Sequence, residues 1–302
     1  MHPASQNHKA LHYVEKRSPI IAGFIILFDV AYYRLKKMEM ANLIASAAIM
    51  LTVQASMFDF SIRMLFGLLL NILIYMHNDY CDIEQDLKTP KKKYKRVAFL
   101  YEHLDIAYYV QLALLAILIL IGFFYDPSLL VALVLGGGIC WLYSQYFKNM
   151  PYYDIAAMVL AGAFLPLIAF QLNLRIGWVL VIQLALFAGS FEAIQILRDY
   201  QEDKESNIIT TAVLLGKNST RMLVYFITTA SSFYAYLVLS QTFGLLLLAS
   251  LFIPFNEKKL SFFWNLIRLC YGITWIAILV EIYLNSATQG LLINISISST
   301  LY

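Results

Sequence analysis

Leu65-Phe66-Gly67-Leu68-Leu69-Leu70-Asn71-Ile72-Leu73-Ile74-Tyr75-Met76 runs straight into His77-Asn78-Asp79-Tyr80-Cys81-Asp82-Ile83-Glu84-Gln85-Asp86. The first part belongs to an apolar run, 61–77, that approaches the roughly 20 residues a bilayer crossing needs. The second part places four carboxylates at its end. The rest of the chain repeats that contrast. Of 302 residues, 61% are hydrophobic and 14% charged, against about 45–50% and about 25% in soluble domains. With a mean hydropathy of +0.68, this excludes an ordinary soluble protein, a disordered chain and a nucleic-acid binder. A polytopic membrane protein remains. Cys81, Cys140 and Cys270 are odd in number and scattered, so neither a disulfide framework nor a zinc site is indicated. No small-residue cleavage site follows Lys9, Lys16 and Arg17, which argues against a cleaved signal peptide.

Apolar runs near 40–57, 61–77, 105–124, 128–146, 153–171, 176–197, 220–240, 242–255 and 264–285 predict nine spans. The expected fold is an all-α membrane protein. A nine-transmembrane-helix bundle over 39–285 follows a cytoplasmic N-terminal segment, 1–38, and precedes a C-terminal tail, 286–302. Segment 20–33 is apolar but short, carries Asp29, and is flanked by Lys16 and Arg17 before and Arg34, Lys36 and Lys37 after. A spanning helix would put one basic cluster on the wrong side, so it reads as an interfacial or re-entrant helix. With the N-terminus in the cytoplasm, loops 78–104, 147–152, 198–219 and 256–263 lie inside. All but Arg63 and Arg175 of the 22 Lys and Arg residues then fall at or near that face, as the positive-inside rule requires.

Eight of the 19 acidic residues crowd into two windows on that face, 77–86 and Arg198-Asp199-Tyr200-Gln201-Glu202-Asp203-Lys204-Glu205. Asn78, Asp82 and Asp86 share one helical face, as do Asp199 and Asp203. Stacked carboxylates repel, so positive charge must compensate them. One reading is a pair of solvated helix ends neutralised by lysines. The other is a Mg²⁺ site, since Mg²⁺ is held by a few carboxylates while phosphate oxygens complete its octahedron. Lys88, Lys91, Lys92, Lys93, Lys95, Arg96, Lys148 and Arg198 are placed to take phosphate charge, although the 91–95 run also suits anionic lipid heads.

Asn78-Asp79-x-x-Asp82-x-x-x-Asp86 resembles the NDxxDxxxD signature of the UbiA superfamily of intramembrane prenyltransferases. Asp199-x-x-x-Asp203, followed by Thr210-Thr211 and Leu214-Leu215-Gly216, resembles its second aspartate motif and trailing Thr-Leu-Pro-type stretch. The similarity runs from about Arg34 to the last span. It implies metal-binding motifs at the cytoplasmic ends of helices 2 and 6, with Mg²⁺-diphosphate held through Asn78, Asp82, Asp86, Asp199 and Asp203. Asp79 also matches a family position, but helix geometry turns it away from Asn78 and Asp82. Tyr143 and Lys148 match a family Tyr and basic residue with altered spacing. Two departures are Pro90-Lys91-Lys92-Lys93 where the family often has Arg-Pro, and Asn207 in place of its usual Gly.

Polar residues inside the spans add candidates. Asn71 and Tyr75 run up the face below Asn78 and are assigned, with Gln195, to a substrate pocket. Glu192 and Gln195 share a face with Asp199. An intramembrane carboxyl is costly and defaults to a functional hypothesis, so Glu192 is a candidate to orient or deprotonate an acceptor. A protonated acid bonded to a neighbouring helix is the other reading. Glu192 and Tyr143 are the expected catalytic residues, and Lys92, Lys93, Lys148 and Arg198 the expected diphosphate-binding residues. Asp154 reads as a helix-end charge, Glu281 as structural, His77 as a helix-end residue and Cys81 as without a role.

The resemblance implies a Mg²⁺-dependent prenyltransferase in the inner membrane, moving an isoprenoid chain from its diphosphate to an aromatic or other lipophilic acceptor. Its partners are a prenyl diphosphate, that acceptor and membrane lipid, with no nucleic acid. A terpene cyclase of the same superfamily would ionise the same diphosphate with no acceptor. A cation transporter is disfavoured, because transport sites lie near the bilayer midplane at broken helices.

Overall fold

In hydrocarbon every backbone N–H and C=O must be satisfied within the chain, which favours helices. The computed structural model describes residues 18–37, 39–88, 94–253 and 260–289, all helix, turn or loop with no strand among them. The clamp candidates Lys92 and Lys93, residues 1–17 and most of the 286–302 tail lie outside the described residues. The helices are α1 Pro19–Lys36, α2 Ala41–Thr52, α3 Met57–Cys81, α4 Ile83–Lys88, α5 Tyr94–Glu102, α6 Leu104–Tyr125, α7 Pro127–Gln145, α8 Tyr153–Phe164, α9 Arg175–Glu205, α10 Thr211–Leu215, α11 Lys217–Leu237 and α12 Leu260–Gln289. Short 3₁₀ segments lie at Phe147–Asn149, Leu165–Ala169 and Thr242–Phe252.

Each predicted span coincides with a helical segment, but among the described residues five are long and apolar enough to cross a membrane: α3, α6, α7, α9 and the Ser261–Asn285 part of α12. Three are shorter apolar helices, Ala41–Thr52, Tyr153–Ala169 and Thr242–Phe252. At about 1.5 Å per residue, the 12 residues of α2 span less than the hydrocarbon core. Pro166 lies within the Leu165–Ala169 3₁₀ turn that follows α8, where its missing N–H cannot sustain an α-helical bond. α11 is amphipathic in an inverted sense. Its buried face carries Thr220, Thr228, Ser231 and Ser232, whose hydroxyls bond inward. Examples are Ser231, which accepts from Gln183 at 2.5 Å, and Ser232, which donates to the Gly244 carbonyl at 3.0 Å.

The most buried of the five spanning helices is α9, which packs against α8, α11 and α12. Helices without hydrophobic drive between them associate through small residues. A Cβ on Gly162 would sit 2.4 Å from the Ala188 Cβ and 2.9 Å from the Leu184 carbonyl, and one on Gly189 would meet Val159 at 2.7 Å. The outward faces, by contrast, expose large apolar side chains such as Phe28, Phe123, Phe124 and Phe226. α1 exposes Ile20, Phe24, Phe28 and Tyr32 along one stripe while Ala22, Ile26 and Val30 are buried.

At the end of the bundle away from the aspartate motifs, Arg63 is 1% exposed. It donates to Asp59 at 2.7 Å, Asp126 at 2.5 Å, Ser128 at 2.9 Å and the Ile168 carbonyl at 3.1 Å. This knot ties α3 to the α6–α7 turn and to the segment after α8. Gly162→Ala should destabilise the protein by about 1–3 kcal/mol through overpacking, because Ala188 and the α9 backbone have no flexible atoms to withdraw. Thermal unfolding in detergent checks this, and an unchanged midpoint would contradict the close approach.

Candidate functional site

The first motif straddles a one-residue break. α3 ends at Cys81 with Asp82 as its cap, yet Asp82 N–H still bonds to the Asn78 carbonyl at 3.0 Å, and Asp86 N–H to the Asp82 carbonyl at 2.9 Å. The helical register therefore passes through, and Asn78, Asp82 and Asp86 keep their four-residue spacing. Asp82 accepts from Lys148 Nζ at 2.6 Å, and Asn78 Nδ2 reaches Ser144 Oγ at 3.4 Å. Both contacts turn this face toward the end of α7 and the 3₁₀ turn beyond it.

The second motif stands on the last turns of α9. Arg198 donates through Nε and Nη2 to both oxygens of Asp199, at 2.8 and 2.9 Å. Asp203 is partly buried beside Asp199, and these two causes push its carboxyl up to about 6. The charge of Lys148, which is bonded to Asp82, is also felt at Asp203. α9 closes with Asn207 at φ 57°. Ile208 N–H bonds to the Asp203 carbonyl at 2.8 Å, and Asn207 N–H to the Lys204 carbonyl at 3.4 Å, the pattern of a Schellman cap. That position needs a left-handed backbone, which Asn tolerates better than most residues, so Asn207 serves where the family has Gly.

Thr210 and Thr211 follow. Thr210 Oγ1 lies 3.4 Å from Asp203. Asp154, fully buried, accepts the Thr211 N–H at 2.7 Å and the Thr211 hydroxyl. The reading of Asp154 as a helix-end charge accounts for its place in the first turn of α8 but misses this bond. Its signal in the sequence was a carboxyl next to an apolar span, with no partner visible nearby. Gly216 at φ 82° then turns the chain into α11, in a conformation that suits glycine.

Deeper in the bundle, Tyr143 on α7 donates to Glu192 Oε1 on α9 at 2.8 Å. Glu192 is 5% exposed and lies seven residues before Asp199, about 10 Å lower along the helix. The structure thus joins the two predicted catalytic residues. Gln195 is half-buried one turn above Glu192. The pocket residues Asn71 and Tyr75 are otherwise engaged: Asn71 bonds its own helix at the Gly67 carbonyl, 2.8 Å, and the Tyr75 hydroxyl donates to the Glu39 carbonyl, 2.5 Å. Asp79 faces the other way, between Arg34 and Arg96. His77 and Cys81 form a separate polar group with Gln111 and Gln145. Glu281 caps the Thr242–Phe252 segment by accepting from the Thr242 and Phe243 N–H groups.

Among the described residues, no three His, Cys, Asp or Glu side chains converge to cage a metal ion. Mg²⁺ does not require such a cage, being held by one or two carboxylates with water and substrate phosphate. Paired carboxylates on two helices, each neutralised by a long basic side chain that can withdraw, fit Mg²⁺ bound together with a phosphorylated ligand.

Residues 40–269 match the UbiA prenyltransferase family. The chain belongs to that family. No curated protein sequence matches it. Among solved structures, one from a study of digeranylgeranylglyceryl phosphate synthase in membranes superposes with a TM-score of 0.66 at 15% identity, covering 86% of this chain and 99% of its own. A UbiA homologue from Archaeoglobus fulgidus bound to GPP and Mg²⁺ gives 0.63 at 16% identity, covering 84% and 99%. The same homologue bound to DMAPP and Mg²⁺ gives 0.62 at 16%, covering 82% and 96%. At these identities the likeness is one of fold. Family membership and five helices of spanning length make this UbiA protein an integral membrane protein.

Asp154→Ala should leave two buried Thr211 donors unpaired, at about 1–3 kcal/mol each. The unfolding midpoint in detergent should fall, with Asp154→Asn intermediate because it keeps one acceptor. Equal midpoints would deny Asp154 this role.

Proposed function

We propose that this UbiA protein is a Mg²⁺-dependent intramembrane prenyltransferase that moves an isoprenoid chain from its diphosphate to an aromatic or other lipophilic acceptor. The observation that carries the reading is a pair of bonds by which α7 and the turn after it meet both motif helices: Lys148 on Asp82 at the mouth, and Tyr143 on Glu192 below it. The nine-helix arrangement, with α1 interfacial and the motifs on the cytoplasmic face of an inner membrane, belongs to the same proposal. The charge distribution of the loops supports it.

Asn78, Asp82 and Asp86 on one side, and Asp199 and Asp203 on the other, would hold Mg²⁺. When bound, Mg²⁺ supplies positive charge against the negative charge that develops on a departing diphosphate. Lys148 and Arg198, which stand at Asp82 and Asp199, would take up phosphate charge. The apolar bundle excludes water from the allylic cation left behind. Glu192, with Tyr143 fixing its orientation, receives a proton from the acceptor. A cyclase, in which the chain's own double bonds would capture the cation, also needs a base, so Asn71, Glu192 and Gln195 favour a transferase only slightly.

The test is purified protein in nanodiscs with Mg²⁺ and prenyl diphosphates of ten, fifteen and twenty carbons, first without and then with candidate acceptors. Diphosphate release that waits for an acceptor is expected, whereas release with a cyclised product and no acceptor would establish a cyclase. Asp82→Ala and Asp199→Ala should each lower release by more than about 100-fold, the scale of losing a preorganised electrostatic group, in protein that still folds. Near-normal turnover in either would remove the metal-site assignment. Glu192→Gln should lower kcat by about 10²–10⁴-fold, as loss of a general base does, with little change in KM for the diphosphate. Unchanged kinetics would leave Glu192 a structural role.

A further inference from the structure

Asp79 follows Asn78 directly and so projects about 100° round the helix from it. Both its oxygens are occupied: Oδ1 by Arg34 Nη2 and Oδ2 by Arg96 Nη2. Arg34 comes from the last turn of α1, ahead of the 40–269 stretch that matches the family, and Arg96 comes from α5. Arg34 also donates to Glu39 Oε2 at 2.5 Å and lies 4.5 Å over the Tyr75 ring. Arg96 lies 4.3 Å over the Tyr33 ring and 3.7 Å from Asp29. The side chains of Asp79, Arg34 and Arg96 are only 12%, 14% and 18% exposed. Shielded charges of this kind hold a defined geometry, because separating them strands a charge in an apolar setting.

We propose that Asp79 is a positioning residue: gripped from behind by Arg34 and Arg96, it sets the rotation of the last turn of α3, so that Asn78 and Asp82 point at Ser144 and Lys148. α1 and α5 thereby become supports of the metal-binding face. Groups that orient first ligands in this way typically cost 10–100-fold in metal affinity or activity when removed. What Asn78 and Asp82 hold rests on the reading given under Proposed function; the clamp itself does not.

The test uses the full chain in nanodiscs with Asp79→Asn, Arg96→Gln and the double variant, Arg96→Gln being the milder because it leaves the Arg34 contact in place. Two quantities are read: backbone hydrogen exchange across 19–36 and 94–102, and the Mg²⁺ concentration giving half-maximal diphosphate release. Each single variant should speed exchange in both helices without global unfolding. Each should raise the half-saturating Mg²⁺ by about 10–100-fold while kcat at saturating Mg²⁺ is retained. The double variant should go little further than Asp79→Asn. Unchanged exchange would overturn the clamp. Faster exchange with unchanged Mg²⁺ dependence would overturn the positioning role. A loss that no Mg²⁺ concentration restores would overturn it too, by making Asp79 a direct participant. Wild-type protein that releases no diphosphate from any prenyl substrate would defeat the prenyltransfer reading alone, and exchange would still decide the clamp.

Discussion

Carboxylates gathered at the end of an apolar bundle cannot stand uncompensated, and the motif-bearing end of this structure is organised by that constraint. Like charges repel at four-residue spacing, and the carboxylates draw their cations from several elements. Asp82 takes Lys148 from the turn after α7, Asp199 takes Arg198 from its own helix, and Asp79 takes Arg34 from α1 and Arg96 from α5. The result is a set of pairs of two kinds. Those at Asp82 and Asp199 each involve one cation and are half-open. The one at Asp79 is double and shielded, suited to holding still.

The opposite end of the bundle solves a similar problem without leaving an opening. Arg63 is buried among Asp59, Asp126, Ser128 and a backbone carbonyl, and truncating any one of these partners would leave charge in a closed space. Between the two ends the helices approach on glycines and small hydroxyl residues rather than on hydrophobic drive, as expected where lipid is as apolar as leucine. α9 gathers these requirements: small residues against α8, Glu192 in its middle and the second motif at its tip.

Much of this was legible beforehand because it depends on spacing alone. The helical segments, the shared face of Asn78 and Asp82, the outward turn of Asp79 and the family itself follow from periodicity and motif. Tyr143 and Glu192 were singled out separately, one from a loosely spaced match and the other from the cost of a buried acid, and the hydrogen bond of 2.8 Å between them is visible only in the structure. Less was legible at helix ends and partners. α2 and the Thr242–Phe252 segment are shorter than their apolar runs, because hydropathy does not report where backbone bonds stop. Tyr75 and Asn71 share the predicted face with Asn78, yet their polar atoms bond the Glu39 carbonyl and the Gly67 carbonyl.

By itself the sequence determined that this chain is helical, membrane-embedded and a member of the UbiA family, since each of these rests on local composition, on 3.6-residue periodicity or on two short motifs. Only the tertiary structure decided which cation answers which carboxylate. Lys148, Arg34 and Arg96 lie 66, 45 and 17 residues from the aspartates they meet, and Thr211 lies 57 from Asp154. A basic residue looks the same in sequence whether it faces phosphate, lipid or a carboxylate. Its partner is selected when helices far apart in the chain pack together, because the free energy of a buried charge depends on what stands within a few ångströms of it.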